Sequence, residues 1–478
     1  MLFNSLTFLF LFLPLCLLAY YLLPSAARNA MLLLFSLVFF AWGGVDYTLL
    51  LLASMALNYF GALAVSRTSE AQKRRHILGI FIAMNLLLLV WFKYAGFLML
   101  NLNSLLAAGG FKAFELPEIA LPVGISFYTF HGISYVVDVY RNVTPVQRNP
   151  VRMALYISLF PQLIAGPIIR YRQIAAQLEQ RSFDARRFND GLERFLIGLG
   201  KKVLVANNLA LAADTFWGVE FADMSNATAW LGIFCYTLQI YTDFSAYSDM
   251  AIGLAAMFGF VFPENFNLPY TAQNMKDFWS RWHISLSTWF RDYVYIPLGG
   301  NRLGVWNMYR NLLLVFLLTG FWHGASWNFI FWGLFHGAFL LLERGRFGTW
   351  LARLPRVFRH LYTLFVVMMS WVPFRAADLE ATMQYYGRLF DFTPFTAHKY
   401  NEYIQASLLN TELLLVLLVA VLGSAGFFAF LARQTDRLKG AAAPSWKLIS
   451  VAGYLLIFWW SVALITAGSY SPFIYFRF

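Results

Sequence analysis

Apolar runs joined by short polar stretches fill almost the whole chain, and the length of each run carries the first structural information. A helix needs about 20 mainly apolar residues to cross about 30 Å of hydrocarbon. The pattern predicts helical segments at 5–23, 30–42, 47–65, 77–92, 94–108, 121–140, 151–169, 190–217, 227–240, 245–262, 311–322, 326–342, 357–374, 408–432 and 447–468. Several are too short or too polar to span alone. Those at 121–140, 151–169, 278–298 and the pair around residue 323 are expected as re-entrant or tilted helices buried in the bundle, where irregular backbone is tolerated. The first run, 6–23, lacks a basic flank and is long for a signal-peptide core, so it reads as a retained span. The expected fold class is an all-α polytopic membrane protein. No internal repeat of a transporter type is evident.

Composition narrows the picture. Hydrophobic residues make up 60% of the 478 and charged residues 13%, against about 45–50% and 25% in soluble domains. Mean hydropathy is +0.58. A disordered, collagen-like or disulfide-rich secreted chain is excluded. The net charge of +12 gathers in short loops, where basic residues fix topology and face anionic lipid, so nucleic acid is not an expected partner. Cys16 and Cys235 lie far apart in apolar segments and form no disulfide or metal motif.

The same charges orient the chain. Loops 67–76, 344–359 and 433–447 are rich in Lys and Arg and are expected in the cytoplasm. The connection 376–407, with Asp378, Glu380, Asp391 and Glu402, is expected outside. Segment 447–468 then exits outward and leaves the last ten residues on the periplasmic side.

Polar groups inside the apolar runs are the candidates for chemistry, because they are costly at membrane depth. His323, in Trp322-His323-Gly324, lies thirteen residues beyond Arg310, a helical rise of about 20 Å that sets it near mid-bilayer. The bland alternative is a core histidine satisfied by a neighbouring helix. A second cluster, Phe278-Trp279-Ser280-Arg281-Trp282-His283, continues to Arg291 and Tyr293 with aromatics near helical spacing. An interfacial amphipathic helix would show the same mixture with no chemistry. Asp243 and Asp249 need partners inside the bundle, as fasteners or as catalysts. The stretch 160–170 holds two prolines and a glycine, a break of the kind that lines cavities. A zinc site on His283, His323 and His336 lacks any close His pair or supporting Cys or Glu, so no metal is assigned.

Residues 278–292, Trp322-His323-Gly324, 163–170 and 241–253, together with Gly124-Ile125-Ser126-Phe127-Tyr128 and the terminal Pro472-Phe473-Ile474-Tyr475-Phe476-Arg477-Phe478, resemble the membrane-bound O-acyltransferase family in its bacterial polysaccharide O-acetyltransferase branch. The resemblance runs over essentially the whole chain. It implies a single membrane domain over 1–478, a helical bundle around a central polar channel, divided into N-terminal spans (1–120), a catalytic core (121–345), C-terminal spans (346–468) and a periplasmic tail (469–478). Two departures stand out: His131 where glutamine is expected and Ala246 where glycine is frequent.

The resemblance implies an enzyme of the inner membrane that moves an acetyl group from a cytoplasmic thioester towards an exported polysaccharide, alginate-like first and peptidoglycan or cellulose next. His323 maps onto the family's membrane histidine and His283 onto its second polar position. The implied donor is acetyl-CoA, with no bound cofactor, and Lys276, Arg281, Arg291 and Arg302 would meet its phosphates. The implied acceptors are Tyr475, as a relay on the tail, and a periplasmic acetyltransferase partner. Two alternatives remain: a transporter or channel that makes no bond, and a lipid acyltransferase.

Overall fold

A computed structural model describes residues 1–115, 119–392, 409–468 and 470. Among these every regular element is helical. In chain order they are α1 (Phe8–Leu22), α2 (Ser25–Ala41), α3 (Asp46–Arg67), α4 (Ala71–Ala108), α5 (Ile125–Tyr140), α6 (Pro150–Ser158), α7 (Phe160–Leu163), α8 (Tyr171–Glu179), α9 (Ala185–Trp217) and α10 (Asn226–Met257). Then follow α11 (Met275–Arg281), α12 (Ile284–Phe290), α13 (Val305–His323), α14 (Trp327–Arg344), α15 (Arg346–Arg353), α16 (Arg356–Arg375), α17 (Leu379–Leu389), α18 (Thr411–Ser424) and α19 (Phe427–Thr466). By length and composition α3, α4, α9, α16 and the Leu448–Thr466 part of α19 can cross a membrane.

The chain forms two compact units. The first comprises Met1–Leu192 with Ala251–Pro263, the second Glu193–Met250 with Glu264–Phe478. In the first, every residue of α5 from Ile125 to Val139 is buried, the polar His131 and Asp138 included. Asn58 of α3 and Asn85 of α4 exchange amide hydrogen bonds at 3.1 and 3.0 Å. A Cβ at Gly132 of α5 would stand 2.3 Å from the Asn58 amide nitrogen, so the glycine admits the pair. Polar side chains and small residues together bind helices in an apolar medium.

The break at 160–170 is buried as predicted. A Cβ at Gly166 would lie 2.6 Å from the Gln162 Cα. His131 is structural: its Nε2 accepts the Ile169 N–H within the break (3.3 Å). A glutamine oxygen could do the same.

In the second unit α9 and α10 are fastened by charge. Lys202 meets Asp243 at 2.7 Å with both side chains buried, and Asp249 receives Lys201 (2.7 Å) and Arg194 (2.9 Å). The π-helical stretch Lys201–Ala206 resets the register of α9 where these lysines leave it. The two aspartates are therefore fasteners. These bonds also explain why the predicted segments 227–240 and 245–262 join in one helix: Asp243 is paired with α9 and Thr242 donates back to the Leu238 carbonyl of its own helix, so no loop is needed. Ala246 sits at this crossing, its carbonyl 2.8 Å from where a Gly198 Cβ would fall, so that departure concerns packing.

Three further expectations are corrected. Segments 77–92 and 94–108 are joined in α4 through a π-helical turn at Val90–Tyr94. The predicted loops 344–359 and 376–407 carry α15 and α17. The basic stretch 433–447 lies within α19, because arginine, lysine and the Ala441-Ala442-Ala443 run are good helix formers.

Candidate active site

The second unit contains both candidate histidines. Asn274 caps α11 by accepting the Asp277 N–H (2.7 Å), and Glu343 accepts the Met275 N–H. The helix stops at Trp282 because His283 adopts a left-handed backbone (φ 44°) before α12 begins. Such a conformation costs a non-glycine residue about 1–3 kcal/mol and persists only where the surroundings impose it. Here the Ile284 N–H donates to the Asn265 carbonyl (2.9 Å) and the Asn267 N–H to the Arg281 carbonyl (2.9 Å). The ring is held too: Nδ1 lies 3.1 Å from the Asn265 side-chain oxygen, and Phe244 packs edge-on at 4.7 Å.

His323 is the last residue of α13. The hairpin into α14 is tight because glycines face each other across it: a Cβ on Gly320 would fall 2.3 Å from the Phe329 carbonyl, and one on Gly333 2.3 Å from the Phe316 carbonyl. His323 is 4% exposed. Around it stand Trp322 (4.8 Å between centroids), Trp332 (5.0 Å) and Phe374 of α16 (5.1 Å). Trp322 also contacts the His283 ring at 6.2 Å, so one indole touches both imidazoles.

His336 stands behind Trp332 (4.7 Å), and its Nδ1 accepts the Trp279 indole N–H (3.3 Å). Indole rings thus intervene among the three histidines. Among the described residues no group of three or more His, Cys, Asp or Glu is placed to hold a metal.

A cavity of about 220 Å³ opens in the same unit. Its walls are apolar, including Trp279, Phe290 and Phe316, and its rim carries Lys276, Arg291 and Arg344. The lining reaches Thr319, one helical turn before His323. A second cavity of about 170 Å³ shares Lys276 and Arg344 and adds Glu343 and Arg359. Burial raises the Glu343 carboxyl above its ordinary range, against the hydrogen bond from Met275.

Lys276 and Arg291 are thus brought together as cavity groups. Arg281 instead pairs with Asp277 (2.7 Å), and Arg302 is exposed in the turn before α13; neither lines the cavity. Arg344 was legible only as a topology anchor, and Thr319 and Asn265 carried no sequence signal of a site. Tyr475 lies outside the described residues. Tyr470 is described: its hydroxyl donates to Asp214, which is ion-paired with Arg375, the residue after Phe374.

Comparison with known proteins identifies the family. Residues 141–379 match the model of the membrane-bound O-acyltransferase family. The chain is 42% identical to the probable alginate O-acetylase of Azotobacter vinelandii and 40% identical to that of Pseudomonas aeruginosa, in both cases over the full length of each chain. It is 38% identical to the peptidoglycan O-acetyltransferase of Helicobacter pylori over 80% of this chain and 79% of that one. Buried imidazoles, a basic-rimmed cavity and full-length likeness converge: this chain is a polytopic membrane enzyme that belongs to the membrane-bound O-acyltransferase family.

Proposed function

We propose that the chain is an O-acetyltransferase that takes acetyl from acetyl-CoA on the cytoplasmic side of the inner membrane and passes it outward for O-acetylation of an exported polysaccharide. An alginate-like polymer is favoured by the full-length relatives, with peptidoglycan or cellulose as further acceptors. The observation that carries this reading is the cavity whose cationic rim suits CoA phosphates and whose apolar lining ends one turn from His323. Lys276 and Arg291 serve that rim together with Arg344, while Arg281 and Arg302 lie outside its lining.

His323 acts as general base. It removes the proton of the acceptor hydroxyl as the hydroxyl oxygen bonds to the thioester carbon. The C–S bond then breaks, and the proton passes to the departing thiolate. An imidazole, with a reference pKa near 6.5, is suited to both transfers. His283 assists, by orienting His323 or by donating to the oxyanion. The tail tyrosine Tyr475 receives the acetyl as a phenolic ester and hands it to a periplasmic acetyltransferase partner, which solves the problem that CoA cannot cross the membrane. The anchoring of Tyr470 on Asp214, beside the element that touches His323, supports this route.

The test is CoA release from acetyl-CoA by membranes carrying the full chain. His323→Ala should lower the rate by about 10²–10⁴-fold, the usual worth of a general base. A passive conduit would tolerate the change, and wild-type transfer in that variant would overturn the proposal.

A further inference from the structure

Two roles are open to His283, and Asn265 decides between them. Asn265 is 1% exposed. Its side-chain oxygen receives the Ser285 backbone N–H (3.3 Å) and the Ser285 hydroxyl (2.8 Å), while its Nδ2 donates to the Ser248 hydroxyl (3.0 Å). A backbone N–H can only donate, so the amide cannot be turned over. The oxygen is the atom that faces residues 283–285. His283 Nδ1, 3.1 Å from that oxygen, must therefore carry a proton and donate it. A neutral imidazole has a single N–H, which leaves Nε2 bare.

That Nε2 is buried and has no hydrogen-bond partner among the described residues. The other groups packed on the ring, Phe244 and Trp322, are not titratable. A bare nitrogen cannot donate to an oxyanion. It can only accept.

We propose that Asn265 is a positioning residue that locks His283 in the Nδ1–H tautomer, so that its bare Nε2 serves the transfer as an acceptor and cannot donate to the oxyanion. The inference rests on the acyltransferase reading of His323. The second histidine then works on the proton side of the transfer, with Nε2 open to a group that the substrates bring. The oxyanion is left to other donors.

Two variants of the full chain in membrane vesicles test this, with radiolabelled acetyl-CoA as probe and rates followed against pH. Asn265→Leu removes the acceptor and frees the tautomer; kcat should fall by about tenfold with KM unchanged, less than the roughly 10²–10⁴-fold usual for loss of an acid–base group itself. Asn265→Asp keeps an acceptor at Nδ1 but adds a negative charge, which favours the imidazolium form of His283 by about 1–3 pH units. Its rate should recover at high pH, with the acid limb of the profile moved upward. A wild-type acid limb in Asn265→Asp overturns the inference, as does a wild-type kcat in a folded Asn265→Leu. If the leucine variant does not fold, the aspartate profile alone decides. His323→Ala run alongside separates the two claims: activity there removes the acyltransferase reading, whereas an inactive His323→Ala beside an unshifted Asn265→Asp removes only the role of Asn265.

Discussion

The ring of His323 meets the ring of Phe374 edge-on, 5.1 Å between centroids, and the next residue, Arg375, is ion-paired with Asp214. The end of α16 is thus in contact with the proposed base on one side and with the anchor of the tail on the other. Asn328 of α14 reinforces this end by donating to the carbonyls of Pro373 (3.0 Å) and Ala376 (2.7 Å). Helix ends leave carbonyls without intrahelical partners, so the side chain satisfies groups that a buried terminus would otherwise leave open. Rigidity at this point fits a site in which small displacements matter.

Lys276 and Arg344 both line the two cavities, so they should contribute to donor binding more than to chemistry. Charge-assisted contacts to phosphate contribute about 1.5–3 kcal/mol each. Lys276→Gln and Arg344→Gln should each raise KM for acetyl-CoA by about tenfold or more, with kcat nearly unchanged and the difference shrinking as salt is added. Steady-state kinetics at two ionic strengths check this; a fall in kcat at constant KM would place these residues elsewhere in the mechanism.

The Lys202–Asp243 pair has side chains 4% and 2% exposed. Removing one partner of a buried pair costs about 3–5 kcal/mol, because the other charge is left unpaired, whereas replacing both with apolar residues is often neutral. Lys202→Met should therefore lower the unfolding temperature in detergent sharply. Lys202→Met with Asp243→Leu should recover most of the loss. Were the double variant as unstable as the single, the pair would have a role beyond fastening α9 to α10.

The hairpin that carries His323 depends on close backbone approach. A Cβ at Gly333 would stand 2.3 Å from the Phe316 carbonyl, a backbone atom that cannot rotate aside. Gly333→Ala should destabilise the protein by about 1–3 kcal/mol, as overpacking does, and lower kcat by shifting α13 against α14. Gly387 in α17 is the control, since a Cβ there meets nothing within 4 Å. Gly387→Ala should leave activity intact and stabilise α17 slightly, by about 1 kcal/mol at most.

The class of the fold was legible because run length and low charge leave few alternatives for such a chain. Where helices end was less so: α10 continues through 241–249 because Lys201, Lys202 and Arg194 approach from α9, and no local pattern encodes that approach. The two histidines were recognisable through resemblance, but their shared contact with Trp322 arises because the turn between α11 and α12 meets the end of α13 in space. Arg344 looked like one more loop charge because its neighbour in the cavity, Lys276, lies 68 residues earlier in the sequence. Asn265 stood in plain view in Pro263-Glu264-Asn265-Phe266-Asn267, yet its importance follows only from the atoms its amide meets.

The tail offers the sharpest division between donor chemistry and delivery. Tyr470 is fixed by its hydroxyl to Asp214, and Tyr475 follows five residues later. Five extended residues reach at most about 17 Å, so the anchor sets the radius within which the Tyr475 phenol can meet an acetyl group. Tyr475→Phe should abolish acetylation of the tail and of the polymer, while CoA release falls only to the rate at which water intercepts the acetyl. Tyr470→Phe keeps the phenol at 475 but loosens the anchor, and should lower polymer acetylation several-fold with the tail still acetylated, because one hydrogen bond from an exposed hydroxyl contributes about 0.5–1.5 kcal/mol. Mass spectrometry of donor-charged protein reads the first effect and acetyl content of the exported polymer the second. A tail that never carries acetyl at Tyr475, together with a fully active Tyr475→Phe, would remove the relay and leave direct transfer from the His323 site to an external acceptor.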